Sequence, residues 1–149
     1  MNWVFKKFDQ LTLQELYAIL ELRSKVFVVE QNCAYQDPDG KDQSAWHLMG
    51  MENDVLIAYT RILPPGVSYP EPAIGRVVTS PAHRGSGLGR ELMKRSIAHC
   101  EKIFGNTPIT LGAQRYLENF YQSLGFFPSS NEYIEDGIPH IEMTRKAST

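Results

Sequence analysis

Residues 73–93, AIGRVVTSPAHRGSGLGRELM, lead from a β-branched strand through Pro81 into three closely spaced glycines and then a helical pattern. A strand that turns through glycines into a helix gathers backbone N–H groups at the positive end of the helix dipole. The glycines let that backbone come close to a ligand, so the turn suits an anion such as a pyrophosphate. A dinucleotide-binding G-x-G-x-x-G counted from Gly85 and Gly87 would need a third glycine at Arg90, and a P-loop would need a lysine and hydroxyl that are absent. The spacing that fits is R-x-x-G-x-G, at Arg84, Gly87 and Gly89.

The remaining elements surround this unit. WVFKKFD (2–8) reads as a first strand. Thr12 to Glu15 form a capping box that starts a helix with Leu13, Leu16, Tyr17, Leu20 and Phe27 on its apolar face, ending near Glu30. Residues 46–51 and 55–63 read as antiparallel strands, and PPGVSYPEP as a surface loop. Residues 73–80 form a strand, 88–103 a helix, 108–114 a strand, 115–125 a short helix closed by Gly125, and 139–146 a last strand. This order describes a mixed α/β fold around one sheet, in a single domain over 1–149.

Fifteen basic against 17 acidic residues leave no basic excess for a nucleic-acid partner. No apolar run approaches the ~20 residues of a membrane span, and the N-terminus lacks a signal-peptide core, so a cytoplasmic protein is expected. Cys33 and Cys100 lie far apart without metal-ligand spacing and read as ordinary thiols. DPDGKD (37–42) fails as a calcium loop, because its sixth and twelfth positions hold Asp42 and Leu48; it reads as a turn. Its acids, with Glu135 and Asp136, are candidates for attracting a cationic amine.

The R-x-x-G-x-G junction, followed by NFYQSLGF (119–126), resembles the GNAT superfamily of acetyl-CoA-dependent N-acetyltransferases. LRSKVFVVEQNCAYQDPDGKD, GRVVTSPAHRGSGLGRELM, LGAQRYLENFYQSLGF and EDGIPHIEM together are similar to its ElaA-type proteins, over nearly the whole chain. The resemblance implies the GNAT fold, a mixed and mostly antiparallel sheet of six to seven strands flanked by helices. It also implies acetyl-CoA as co-substrate, no metal, and a small-molecule or peptide amine as acceptor. A homodimer follows only by analogy.

By the same resemblance the strand at Val77, Val78 and Thr79 carries the pantetheine arm, with the Val78 N–H polarising the thioester carbonyl. The amides of Arg84, Gly85, Ser86, Gly87, Leu88, Gly89 and Arg90 cradle the pyrophosphate. The Arg84 and Arg90 guanidiniums either add charge there or are simply solvated. Asn119 faces coenzyme A, and Tyr121 is either the acid that protonates the leaving thiolate or a core aromatic beside Phe120 and Phe126. Many GNAT enzymes carry a glutamate on the strand before the loop, but this chain has Gly75-Arg76 there, so no base carries over. The candidates are Glu30, His140, His47 and Glu142, in that order, or an ordered water. His83 and His99 receive no catalytic part, although His83 stands close enough in sequence to approach the phosphates. Two other readings stay open: a GNAT fold that holds acyl-CoA without catalysis, and a synthase related to acyl-homoserine lactone enzymes.

Overall fold

A computed structural model describes residues 1–148. In chain order the elements are β1 (Asn2–Lys7), α1 (Leu13–Arg23) continued by a π-helical stretch (Ser24–Glu30), β2 (Trp46–Glu52), β3 (Val55–Leu63), β4 (Ala73–Thr79), α2 (Leu88–Phe104), β5 (Ile109–Gln114), α3 (Glu118–Gln122), β6 (Phe126–Pro128), β7 (Tyr133–Glu135) and β8 (Ile138–Arg145). The eight strands form one sheet in the order β1-β2-β3-β4-β5-β8-β6, with β7 sharing the outer edge of β8 with β6. All pairings are antiparallel except β4 with β5. The sheet exceeds the expected six to seven strands because β6 and β7 are three-residue strands, too short for an alternating pattern to mark.

The capping box forms as expected: the Glu15 N–H donates to Thr12 Oγ1 at 3.1 Å and the Thr12 N–H to Glu15 Oε1 at 2.8 Å. The buried face of the helix differs from the expected one. Ile19, Leu22, Arg23 and Val26 are buried, while Leu13 is 82% and Tyr17 71% exposed. The buried residues follow the i, i+3, i+4, i+7 stripe, but its third member is an arginine, which hides the stripe from a reading based on apolar spacing. The expected helix of 115–125 is a 3₁₀ turn (Arg115–Leu117) followed by the short α3, and Gly125 closes it at φ +93°.

Ile19, Leu22 and Val26 pack on Met49, Tyr59 and Val78, while Leu88 and Leu92 of α2 pack with Leu48 and Ala58. Neighbouring residues of one strand thus face different helices, as the pleat requires. Fully buried Arg23 is satisfied by Asp37 at 2.7 Å and Asp42 at 2.8 Å, and Arg61 by Asp39 at 2.8 Å and Asp42 at 3.0 Å. Burial alone would raise the Asp42 carboxyl, but its hydrogen bonds with Arg23 and Arg61 hold it below the ordinary range. The acids of DPDGKD are therefore paired structural charges and are not free to attract an amine.

His47 is also part of this interior. Its Nδ1 accepts from the Tyr59 hydroxyl at 2.6 Å, and its Nε2–H donates to the Asp42 carbonyl at 3.0 Å. Burial lowers its pKa, as it does that of His99, which stacks on Phe5. Below about pH 6.5 the unfolded chain therefore binds more protons than the folded one, and stability falls as pH drops toward the folded-state values. The unfolding free energy from urea titration should decrease between pH 7 and 5, by up to about 1.4 kcal/mol per pH unit for each proton not taken up by the folded state. His47→Asn should flatten that slope; an unchanged slope would remove His47 from this account.

Candidate active site

The site begins where the sheet opens. β4 and β5 meet with Ala73 opposite Thr110, and no further Cα partners join them among the described residues. On its other edge β4 pairs with β3, but Tyr59 lies opposite Val78 and Arg61 opposite Gly75, so Arg76 and Val77 together face Thr60. That extra residue is a bulge, which bends β4 away from β5. The resulting cleft, about 590 Å³, is walled by residues 74–79 on one side and by Leu111, Gly112 and Gln114 on the other. Alternate peptide groups of a strand point to each edge, so some of those in β4 face the cleft and are open to a polar ligand or to water.

The glycine loop stands at one end. Gly85 and Gly87 adopt φ +82° and +80°, and nothing lies within 4 Å of where a Cβ on either would stand. Gly87 starts the 17-residue α2, whose axis brings its positive end to the loop. Arg84 and Gly89 line the cleft, as do Val77, Val78 and Thr79. Gly85, Ser86, Gly87, Leu88 and Arg90 lie outside its wall, as does exposed Asn119. The basic side chains of the loop have protein partners. Arg84 forms a two-point ion pair with Glu30 at 2.6 and 3.0 Å, Arg90 donates to Ser123 Oγ at 2.7 Å, and His83 Nε2 lies 3.1 Å from Glu52.

Tyr121, on α3, is 5% exposed and contacts both Phe120 and Phe126 edge-on, so it belongs to the core and to the cleft wall at once. Its hydroxyl has no hydrogen-bond partner among the described residues. Burial pushes its pKa well above the ordinary phenol value, which keeps the proton on the oxygen.

The far end of the cleft joins the segment after α1 to β5 and to the turn between β7 and β8. Gln31 and Gln114 exchange amide hydrogen bonds at 3.2 and 3.5 Å, and the Cys33 thiol donates to the Asp136 carbonyl at 3.1 Å. His140, opposite Gln114 on β8, stacks on Tyr133 with ring centroids 5.8 Å apart. Its Nδ1–H donates to the Ile138 carbonyl at 2.7 Å, so in the neutral ring Nε2 carries the lone pair; the Glu135 carboxylate lies 3.6 Å from it.

Of the four candidate bases, Glu30 and His140 line the cleft. Fully buried His47 is bonded within the Arg–Asp interior, and Glu142 hydrogen-bonds the Ser129 hydroxyl at 3.3 Å outside the cleft wall. The hydrogen bonds from Arg84 hold the Glu30 carboxyl below its ordinary range, which weakens it as a proton acceptor. Arg76, Tyr35 and the Gln31–Gln114 bridge also line the cleft without having been marked by their sequence pattern. Only the position of Gly75-Arg76 in the opening strand drew attention to that segment.

Residues 13–147 match the acetyltransferase (GNAT) domain family. The chain is 46% identical to protein ElaA of Escherichia coli K12 over 148 residues, 98% of this chain and 97% of that protein. The crystal structure of E. coli ElaA superposes with a TM-score of 0.92, covering 97% of this chain and 99% of that one. An acyl-CoA N-acyltransferase from Pseudomonas aeruginosa, 45% identical, also gives a TM-score of 0.92 at the same coverage. Together, the opened sheet with its glycine loop and the match over nearly the whole length place this chain in the GNAT acetyltransferase family, with an ElaA-type member's fold.

Proposed function

We propose that the protein transfers an acetyl group from acetyl-CoA directly to the primary amine of a small molecule or peptide. The observation that carries this reading is the cleft between β4 and β5, which has a glycine-built anion cradle at one end and the buried phenol of Tyr121 in its wall. When bound, acetyl-CoA supplies the acetyl group as an activated thioester. The open face above Gly85 and Gly87 and the positive end of α2 fit its pyrophosphate. The Ser80 N–H donates to the Ile57 carbonyl at 2.7 Å, so by alternation the peptide group of Val78 faces β3 and those of Val77 and Thr79 face the cleft; these would meet the thioester carbonyl and the amides of the pantetheine arm, with Val78 packing between them.

The chemistry forms an N–C bond, breaks a C–S bond and moves two protons. Tyr121 donates to the departing sulfur; a phenol is protonated at neutral pH at its ordinary pKa of about 10, and burial raises it further. His140 Nε2 takes the proton from the acceptor ammonium, and Glu135 stabilises the imidazolium that results. His140 is preferred to Glu30 because Arg84 already occupies the Glu30 carboxylate.

Calorimetric titration with acetyl-CoA should give saturable binding, and thiol release should follow on at least one member of an amine panel. Absence of binding would refute the reading, whereas binding without turnover on any amine would indicate an acyl-CoA-binding module. Tyr121→Phe should lower kcat by about a hundredfold with little change in acetyl-CoA affinity, the range expected for loss of a general acid. Equal kcat in the two proteins would remove the acid role. Glu30→Gln frees Arg84 for the pyrophosphate, so its coenzyme A Kd should fall several-fold; a raised Kd would show that Glu30 orients Arg84 for binding.

A further inference from the structure

Among the described residues five non-glycine residues have positive φ, and four of them are asparagines and aspartates that tolerate this conformation: Asn32, Asn53, Asp54 and Asp136. The fifth is Arg76, at φ +50°. It occupies the β4 bulge, where a left-handed residue is ordinarily glycine, yet neighbouring Gly75 does not take positive φ. Backbone strain in an arginine persists only where its surroundings impose it.

Those surroundings are on one loop. Arg76 Nη2 donates to the Asp37 carbonyl at 2.9 Å and lies 3.3 Å from Asp39 Oδ2, Nε lies 3.0 Å from Asp37 Oδ1, and the guanidinium sits 5.6 Å from the centre of the Tyr35 ring. Asp37 is itself buried and fixed by Arg23 and by the Tyr35 hydroxyl at 2.6 Å, so the tether ends on an immobile group. Strain in the backbone and restraint on the side chain therefore meet in one residue, immediately before the two valines that line the cleft. Arg76 cannot serve as the base, since a guanidinium paired with two carboxylates keeps its proton.

We infer that Arg76 is a positioning residue for the acyl group: its tether to Asp37 and Asp39 holds β4 in the bulged form that presents the peptide group of Val77 to the thioester. This inference rests on the acyl-CoA reading above. Its distinguishing property is that the tether acts on the carbonyl end of the ligand and leaves the pyrophosphate loop alone.

The test is isotope-edited infrared spectroscopy of acetyl-CoA labelled with ¹³C at the thioester carbonyl, bound to the native chain and to Arg76→Ala, Arg76→Gly and Arg76→Lys. A hydrogen bond from β4 lowers the carbonyl frequency in the native complex. Arg76→Ala should return the band toward its free position and lower turnover by about tenfold or more, as for a weakened oxyanion donor. Arg76→Gly, free to keep the bulge without strain, and Arg76→Lys, which keeps the charge, should both be intermediate. The Kd for coenzyme A lacking the acetyl group should stay within about threefold of native in all three, because the glycine loop is untouched. If Arg76→Ala fails to fold, Arg76→Gln gives the same comparison, because it removes the ion pairs with Asp37 and Asp39 and leaves both carboxylates with their partners Arg23 and Arg61. A band that stays at the native position in folded variants that bind acetyl-CoA would overturn the inference, as would an equal loss of coenzyme A and acetyl-CoA affinity. A native chain that binds no acetyl-CoA would instead refute the functional reading, and the inference would fall with it.

Discussion

The cleft depends on a set of charges outside the reacting centre. Arg23, Arg61 and Arg76 come from α1, β3 and β4, and they converge on Asp37, Asp39 and Asp42 of one loop. Three cations against three anions leave no net charge, and each carboxylate serves two guanidiniums. Such an arrangement gives little net stability relative to an apolar core, but removing one partner strands a buried charge and costs about 3–5 kcal/mol. Its consequence is geometric. The helix, the two central strands and the loop after the π-helical stretch are fixed relative to one another, and the wall facing β5 takes one shape.

That fixed wall explains how an opened sheet is maintained. Strands that separate after a single partnered position leave peptide groups without ladder partners, which ordinarily drives a sheet to close. Here closure is opposed from both sides. The bulge at Arg76 is tied back toward the Asp37 loop, while β5 is committed to β8 along its full length, from Ile109 opposite Arg145 to Gln114 opposite His140. An extended ligand with its own amides, placed between them, would complete the ladder. The two-point Arg84–Glu30 pair then connects the anion loop to the end of the π-helical stretch, so that a bound polyphosphate must compete for an arginine the protein already uses.

Much of this was legible because some local signals are self-contained. The Thr12–Glu15 box, the strand–glycine–helix junction and the segment around Tyr121 each depend on nearby residues, and each stands where the pattern places it. The rest depends on contacts across the sequence. The buried stripe of α1 includes Arg23, whose partners lie 14 and 19 residues on, so apolar spacing pointed instead to Leu13 and Tyr17, which are exposed. DPDGKD looked like free acidic charge because the arginines that pair with it are on other elements. The left-handed backbone at Arg76 was hidden because the adjacent Gly75 is the residue to which chemistry would assign it.

The same distinction separates the two candidates for the base. Glu30 stood out because it lies within a distinctive segment at the end of a helix, but an ion pair formed 54 residues along the chain determines its behaviour. A carboxylate held by two hydrogen bonds from Arg84 must give up that pair before it can accept a proton, so its basicity and the charge of the anion loop are coupled. His140 carries no such debt to the loop. Its Nδ1–H is bound to a carbonyl two residues away, which leaves Nε2 as the acceptor in the neutral ring, 3.6 Å from the Glu135 carboxylate. Tyr121 is the complementary case: burial raises its pKa, and under the proposed mechanism it gives up its proton only to a strongly basic leaving sulfur. The proposed transfer removes one proton and supplies another, which calls for groups whose hydrogen-bond commitments are separate from the anion loop; His140 and Tyr121 meet that condition where Glu30 does not.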